Sequence, residues 1–261
     1  MKIPNLKMNN GLFIPILGLG TWDLNGNICV NAVKEAYDLG YRHIDTAEFY
    51  KNENEIGKAI KDIPREKLFI VSKIWPTHLS YKGVLNACED SLSRLGTNYL
   101  DLYLIHWPNI FIGMEEPLKA FKKLSSEGKI KSFGVSNFGI NNLKKILPIA
   151  EKLHLKISVN QIKFNPFDHD DETVEFCRKN NIIVTAYSPL ARGGAVRNKE
   201  IMKIAEKYKK TPSQTILRWI MQKDIVVIPK ASSREHLEEN IGVFDFEIGE
   251  EDMKTMDNLQ K

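Results

Sequence analysis

Arg42-His43-Ile44-Asp45-Thr46-Ala47-Glu48-Phe49-Tyr50 is the stretch that decides the fold. A β-rich apolar run stops abruptly in polar residues and gives way to a turn. The same grammar recurs at Val71-Ser72-Lys73-Ile74-Trp75-Pro76, at Leu104-Ile105-His106-Trp107-Pro108 and at Gly134-Val135-Ser136-Asn137-Phe138. Parallel strands end in this way when they deliver side chains to one rim of a barrel, the rim where barrel enzymes keep their chemistry. Asp45, Tyr50, Lys73 and His106 are therefore candidates for one buried group, a proton donor beside a cation.

Outward from these stretches, strands and helices alternate. Upstream, Leu6–Met8 and Leu12–Ile14 flank Asn9-Asn10-Gly11 and read as a hairpin, because Asn and Gly tolerate the positive φ of a tight turn. Strand-like runs follow at Ile16–Gly20, His43–Thr46, Leu68–Lys73, Tyr99–His106, Ile130–Val135, Ile157–Gln161, Ile182–Tyr187 and Ile225–Ile228. Between and after them, helical spacing covers Ile28–Leu39, Glu53–Lys61, Tyr81–Leu95, Glu116–Ser126, Asn141–Leu153 (with Pro148 inside), Asp171–Lys179, Lys199–Tyr208, Pro212–Gln222 and Glu250–Leu259. Gly40 and Gly96 close two of these helices. Thr211-Pro212-Ser213-Gln214 is a capping box with proline at the first helical position, and Ser232 to Glu235 repeats the box ahead of a helix through about Asn240. Eight alternating units predict an α/β fold closed as a (β/α)8 barrel, with an N-terminal β-hairpin; an open doubly wound sheet is the runner-up. No linker or repeat divides 1–261, so a single domain is expected.

Bulk properties narrow the function. A chain of 261 residues suits one barrel, and 43% hydrophobic with 27% charged residues is ordinary globular composition. The net charge of +4 is too small to imply nucleic acid. Cys29, Cys88 and Cys177 are scattered and odd in number, which indicates neither a disulfide framework nor a structural zinc. No signal core or membrane-length apolar run is visible. The expectation is a reduced, cytoplasmic monomer that binds neither membrane nor nucleic acid.

The motifs exclude as much as they suggest. Gly18-Leu19-Gly20 lacks a third glycine at the dinucleotide-fingerprint position, which holds Asp23, and Walker, HExxH and GxSxG patterns are missing. What remains are strand-end polar groups. A free phenol has a pKa near ~10 and is a poor acid at neutral pH. An ammonium such as Lys73 favours phenolate and is expected to lower that value, while Asp45 keeps the lysine charged. His106 is placed to orient a substrate oxygen. The set suits proton delivery to a carbonyl oxygen while a cofactor supplies hydride.

With those residues in view, the sequence resembles the aldo-keto reductase family over nearly its whole length, from the hairpin and Gly18-Leu19-Gly20-Thr21-Trp22 to Val243-Phe244-Asp245-Phe246. The resemblance implies Tyr50 as general acid, Lys73 as its tuner, Asp45 as the partner of Lys73 and His106 as the carbonyl's orienting group. It implies NADPH, with NADH possible, bound across the barrel mouth. Ser136, Asn137 and Gln161 resemble the carboxamide ligands, and Tyr187 the ring that stacks on nicotinamide. Ser188, Leu190 and Arg192 resemble pyrophosphate-loop contacts, and Lys230 the lysine facing the adenosine 2′-phosphate. Gly20 and Thr21 lie beside the cofactor, and Ser232, His236 and Asn240 belong to its adenosine end. Trp22, Trp75 and Trp107 form an apolar substrate wall with His106.

Two departures bear on cofactor choice. Ala231 and His236 stand where the family often has Ser and Arg, so one phosphate-binding guanidinium is missing, Arg234 is a substitute, and NADH use is expected beside NADPH. Phe164-Asn165-Pro166 replaces the common Tyr-His-Pro. Short loops after His106 and after the last helix imply a shallow pocket that tolerates small aldehydes, α-keto compounds or sugar-derived carbonyls. Competing readings are a metal-dependent barrel hydrolase using His43, Asp45, Lys73 and His106, and a non-catalytic nucleotide-binding subunit. The former wants a second histidine-rich strand end and the latter a lost site residue; the sequence has neither.

Overall fold

The computed structural model describes residues 3–109 and 111–260. Its hairpin pairs β1 (Asn5–Lys7) with β2 (Phe13–Pro15) in antiparallel fashion, Leu6 facing Ile14. Eight parallel strands follow: β3 (Gly18–Gly20), β4 (His43–Asp45), β5 (Phe69–Ile74), β6 (Leu102–Ile105), β7 (Phe133–Ser136), β8 (Ile157–Lys163), β9 (Ile183–Tyr187) and β10 (Val226–Val227). Each pairs with its sequence neighbour, and a parallel bridge from Leu17 to Val227 brings the last strand back to the first. That closure rules out the open sheet.

Helices α1 (Gly26–Asp38), α2 (Glu53–Ile60), α3 (Tyr81–Leu95), α4 (Glu115–Ser126), α5 (Ile140–Lys152) and α6 (Asp171–Lys179) each link consecutive strands. α7 (Lys199–Lys207) and α8 (Pro212–Met221) together link β9 to β10, and α9 (Arg234–Ile241) and α10 (Glu250–Asp257) follow. The capping box at Thr211 and Gln214 is formed in both directions. Among the described residues, no helix is long and apolar enough to cross a membrane.

Side chains two apart on a strand share a face, and that rule builds the site. Inside the barrel, Phe69 and Val71 of β5, Leu102 and Leu104 of β6, Val159 of β8 and Val226 of β10 form one apolar cluster. Met8 and Ile14 of the hairpin join it and plug the floor. Burial of each large apolar side chain contributes roughly 1.5–3 kcal/mol. The next inward position is Lys73 above Val71, His106 above Leu104 and Gln161 above Val159, so polar groups come to rest on a dry floor. Gly18 makes room for another layer, since a Cβ there would lie 2.6 Å from the His43 ring.

Two local readings need correction, and one element is new. The strand read from Tyr99 shortens to Leu102–Ile105 because the Asp101 carboxylate takes over strand bonding, accepting from the Ile70 amide at 2.8 Å and from Arg65 at 2.6 Å. The cap of α9 is Ser233, not Ser232: the Ser233 Oγ accepts from the His236 amide, and His at that third position cannot complete a box as Glu would. Tyr50 lies on a 3-10 turn, Glu48–Tyr50, that periodicity does not reveal.

Candidate active site

The four strand-end residues converge. Lys73 Nζ, fully buried, donates to Asp45 Oδ1 at 2.5 Å, to the Thr46 carbonyl at 2.9 Å and to the Tyr50 hydroxyl at 3.2 Å. All three ammonium donors are therefore spent on fixed acceptors. The Tyr50 and His106 rings meet edge-on with centroids 5.6 Å apart. His43, by contrast, lies deeper, its Nδ1 3.2 Å from the Pro15 carbonyl and its ring against Phe69. Among the described residues no three His, Cys, Asp or Glu side chains come together in a way that could hold a metal ion.

A second set of polar groups joins the first. Asn137, just past β7, is left-handed at φ 63, a conformation asparagine tolerates. The turn points its amide back into the site, where Nδ2 donates to the His106 carbonyl at 2.9 Å and to Ser136 Oγ at 3.0 Å. Its Oδ1 accepts from the Tyr187 hydroxyl at 2.8 Å, and Ser136 Oγ donates to the Gln161 carbonyl at 2.9 Å. Gln161 Nε2 then donates to Asp45 Oδ2 at 2.7 Å. Tyr187, Asn137, Ser136, Gln161, Asp45, Lys73 and Tyr50 thus form one hydrogen-bonded chain across the mouth.

The aldo/keto reductase family model matches residues 16–261. This chain belongs to the aldo/keto reductase family. It is 42% identical to the glyoxal reductase of Bacillus subtilis over 98% of this chain and 92% of that protein. It is 37% identical to the glycerol 2-dehydrogenase (NADP(+)) of Saccharomyces cerevisiae, over 98% of this chain and 90% of the other. The solved structure of an aldo-keto reductase enzyme from a Medee basin deep-sea metagenome library superposes with a TM-score of 0.93 at 42% identity, covering 98% of this chain and 94% of that one. Membership makes the chain an oxidoreductase of a family that acts on carbonyl substrates with nicotinamide cofactors, generally NADPH.

In this aldo/keto reductase the electrostatics differ from the expectation in one respect. Burial pushes the Tyr50 phenol above its ordinary value, and the opposing pull of Lys73 does not cancel it. The sequence carried the ammonium but not the dry floor beneath it. For Lys73, burial alone acts downward, yet Asp45 and Tyr50 together outweigh it and hold the ammonium above its usual range. Burial pulls the His106 imidazole down to about 3, and the Lys73 charge adds to the fall. His106 is therefore neutral at ordinary pH, and its buried Nδ1 has no partner among the described residues.

Trp22 and Trp75, two of the three tryptophans expected in the wall, are joined into one aromatic cluster by Phe49. Phe49 stacks on Trp75 at 4.0 Å between centroids and lies parallel to Trp22 at 6.0 Å, while Trp75 meets His106 edge-on at 5.3 Å. Trp107 is half exposed and has no stacked ring partner among the described residues. Phe49 went unread because it precedes Tyr50 inside the motif, and the 3-10 turn is what rotates it into the wall.

Asn52 was also unread. It is buried, accepts from Thr46 Oγ1 at 2.8 Å, and donates to the carbonyls of Thr21 and Leu24 at 2.8 and 3.0 Å. Thr21 Oγ1 in turn donates to the Asp45 carbonyl at 2.9 Å. Asn52 thereby ties the turn carrying Tyr50 to the loop carrying Trp22. A buried asparagine with every bond met is high in positional value, though in sequence it is one polar residue among Lys51-Asn52-Glu53-Asn54.

The remaining residues expected at a cofactor lie at or beyond the ends of β3, β9 and β10 and on α9. Gly20 donates its amide to the Pro229 carbonyl at 3.1 Å, and a Cβ there would sit 2.5 Å from the Ile228 carbonyl, so Gly20 has a closure role of its own. Ser188 and Arg192 are left-handed at φ 50 and 54, and Leu190 is half buried between them. Such strain concentrates at ligand-binding loops. Ser232 and His236 are exposed on the approach to and first turn of α9, whereas Asn240 is buried one turn further on.

Proposed function

We propose that the chain is an NADPH-dependent carbonyl reductase, able to use NADH, that reduces small aldehydes and α-dicarbonyls to alcohols with Tyr50 as general acid. The observation that carries this reading is the Lys73 ammonium, held by Asp45 and bonded at 3.2 Å to the oxygen of a phenol at the barrel mouth. The donor set fits a nicotinamide amide: Ser136, Asn137 and Gln161 offer hydroxyl and carboxamide groups beside the half-buried Tyr187 ring. When bound, the dinucleotide supplies hydride to the carbonyl carbon.

The protein's own groups do the rest. Tyr50, kept protonated by burial, holds the proton that the carbonyl oxygen needs. As it leaves, negative charge grows on the phenol oxygen, and the fixed Lys73 ammonium stabilises that charge more than it stabilised the neutral phenol. Asp45 anchors the ammonium and Gln161 anchors Asp45. His106, neutral, can hold the substrate oxygen without taking the proton meant for it. Phe49, Trp22 and Trp75 present a stacked apolar face along one side of the mouth.

The substrate class follows from the open, aromatic mouth and accords with glyoxal as the named substrate of the Bacillus relative. Purified protein given NADPH and glyoxal should oxidise the cofactor in proportion to aldehyde. No consumption with any member of a small aldehyde panel, despite dinucleotide binding, would reject the reading.

A further inference from the structure

Asp23 and Lys230 come from opposite ends of the chain but leave adjacent strands. Lys230 lies just beyond β10, and Asp23 just beyond β3. The two loops are fastened by backbone bonds, Val227 amide to Ile16 carbonyl at 2.8 Å and Gly20 amide to Pro229 carbonyl at 3.1 Å. Asp23 itself is fixed in a left-handed turn at φ 60, closed by the Leu24 amide donating to the Thr21 carbonyl at 3.1 Å. Lys230 Nζ donates to Asp23 Oδ2 at 3.3 Å, with the two side chains 47% and 68% exposed. Arg234, the other cation expected at the 2′-phosphate, is bonded to Glu238 at 2.9 Å. Both cations expected at the 2′-phosphate, Lys230 and Arg234, therefore already carry a carboxylate.

We propose that Asp23 is a specificity-determining residue of the dinucleotide site. This rests on the NADPH reading of Lys230 given above. The Asp23 carboxylate occupies Lys230 and repels a 2′-phosphate that must take its place, so phosphorylated and unphosphorylated dinucleotides bind with similar affinity. An exposed ion pair is weak and exchangeable. A carboxylate a few ångströms from a dianion nonetheless shifts binding by about three- to tenfold at moderate salt.

Asp23→Asn is the test, because asparagine keeps the left-handed turn and removes only the charge. Calorimetric titration of the whole protein with NADPH, NADH, adenosine 2′,5′-bisphosphate and adenosine 5′-monophosphate reads the effect without turnover. The expected result is about three- to tenfold tighter binding of NADPH and the bisphosphate, with NADH and the monophosphate within about twofold of the parent. In a Lys230→Met background the same substitution should give no selective gain. Equal effects on phosphorylated and unphosphorylated ligands, no effect on either, or a gain that persists without Lys230 would overturn the proposal. If the parent binds neither dinucleotide, the NADPH reading falls with it. If the parent binds both and Asp23→Asn changes nothing, only the role of Asp23 falls.

Discussion

Gln161 donates to the one Asp45 oxygen that Lys73 leaves free, at 2.7 Å, from a strand 116 residues away in sequence. The bond joins the amide-and-hydroxyl set to the proton-donor group, so that neither is built independently. Asp45 is buried, and each of its carboxylate oxygens accepts from a different side chain. Buried carboxylates persist only when satisfied in this way.

Gln161→Met keeps the volume and removes the donor. Asp45 Oδ2 is then left buried without a partner, and stability should fall by about 1–3 kcal/mol. Urea unfolding, with an unchanged m-value, reads this directly. An unchanged midpoint would mean that Asp45 draws its support from elsewhere.

Phe49 predicts substrate range. It fills the space between Trp22 and Trp75, stacked at 4.0 Å on the latter. Phe49→Ala removes that partition, so kcat/KM for a branched or aromatic aldehyde should rise relative to glyoxal by roughly tenfold, the scale of one hydrophobic pocket contact. A ratio unmoved by the substitution would place the substrate elsewhere on the mouth.

Two buried imidazoles predict the acid limit of stability. Burial holds His43 at about 4 and His106 at about 3, against an ordinary value of 6.5. Between those values the unfolded chain binds protons that the folded chain refuses, so stability is present above about pH 6.5 and is lost as pH falls. Each pH unit below removes up to roughly 1.4 kcal/mol per imidazole. Melting temperatures from pH 7 to pH 4.5 should therefore decline, and His106→Asn should decline less steeply than the parent. Parallel slopes would show that His106 takes up its proton in the folded protein.

The barrel was legible because strand-like runs recur eight times with helical segments between them and little interruption, and because the inward residues obey a period of two. Asp45, Lys73 and His106 were legible as the polar tops of apolar columns. Phe49 and Asn52 were not, since their roles depend on a 3-10 turn and on three side-chain bonds, two of them long-range, neither of which has a periodic signature. The direction of the Tyr50 shift was not legible for a related reason: Lys73 is visible in the sequence, whereas the phenol is buried in part by rings arriving from two other segments, Trp22 and His106. The Ser233 cap is the ordinary one-residue uncertainty of a helix end, resolved by which hydroxyl reaches the His236 amide.

Single-turnover oxidation of bound NADPH by glyoxal in Tyr50→Phe tests the central claim most directly. The phenylalanine keeps the ring in the aromatic wall and deletes only the hydroxyl bonded to Lys73. The rate should fall by at least about 100-fold, while NADPH binding stays within about threefold of the parent. Turnover at the parental rate would contradict the assignment of Tyr50 as the acid, and with it the purpose ascribed to Lys73 and Asp45.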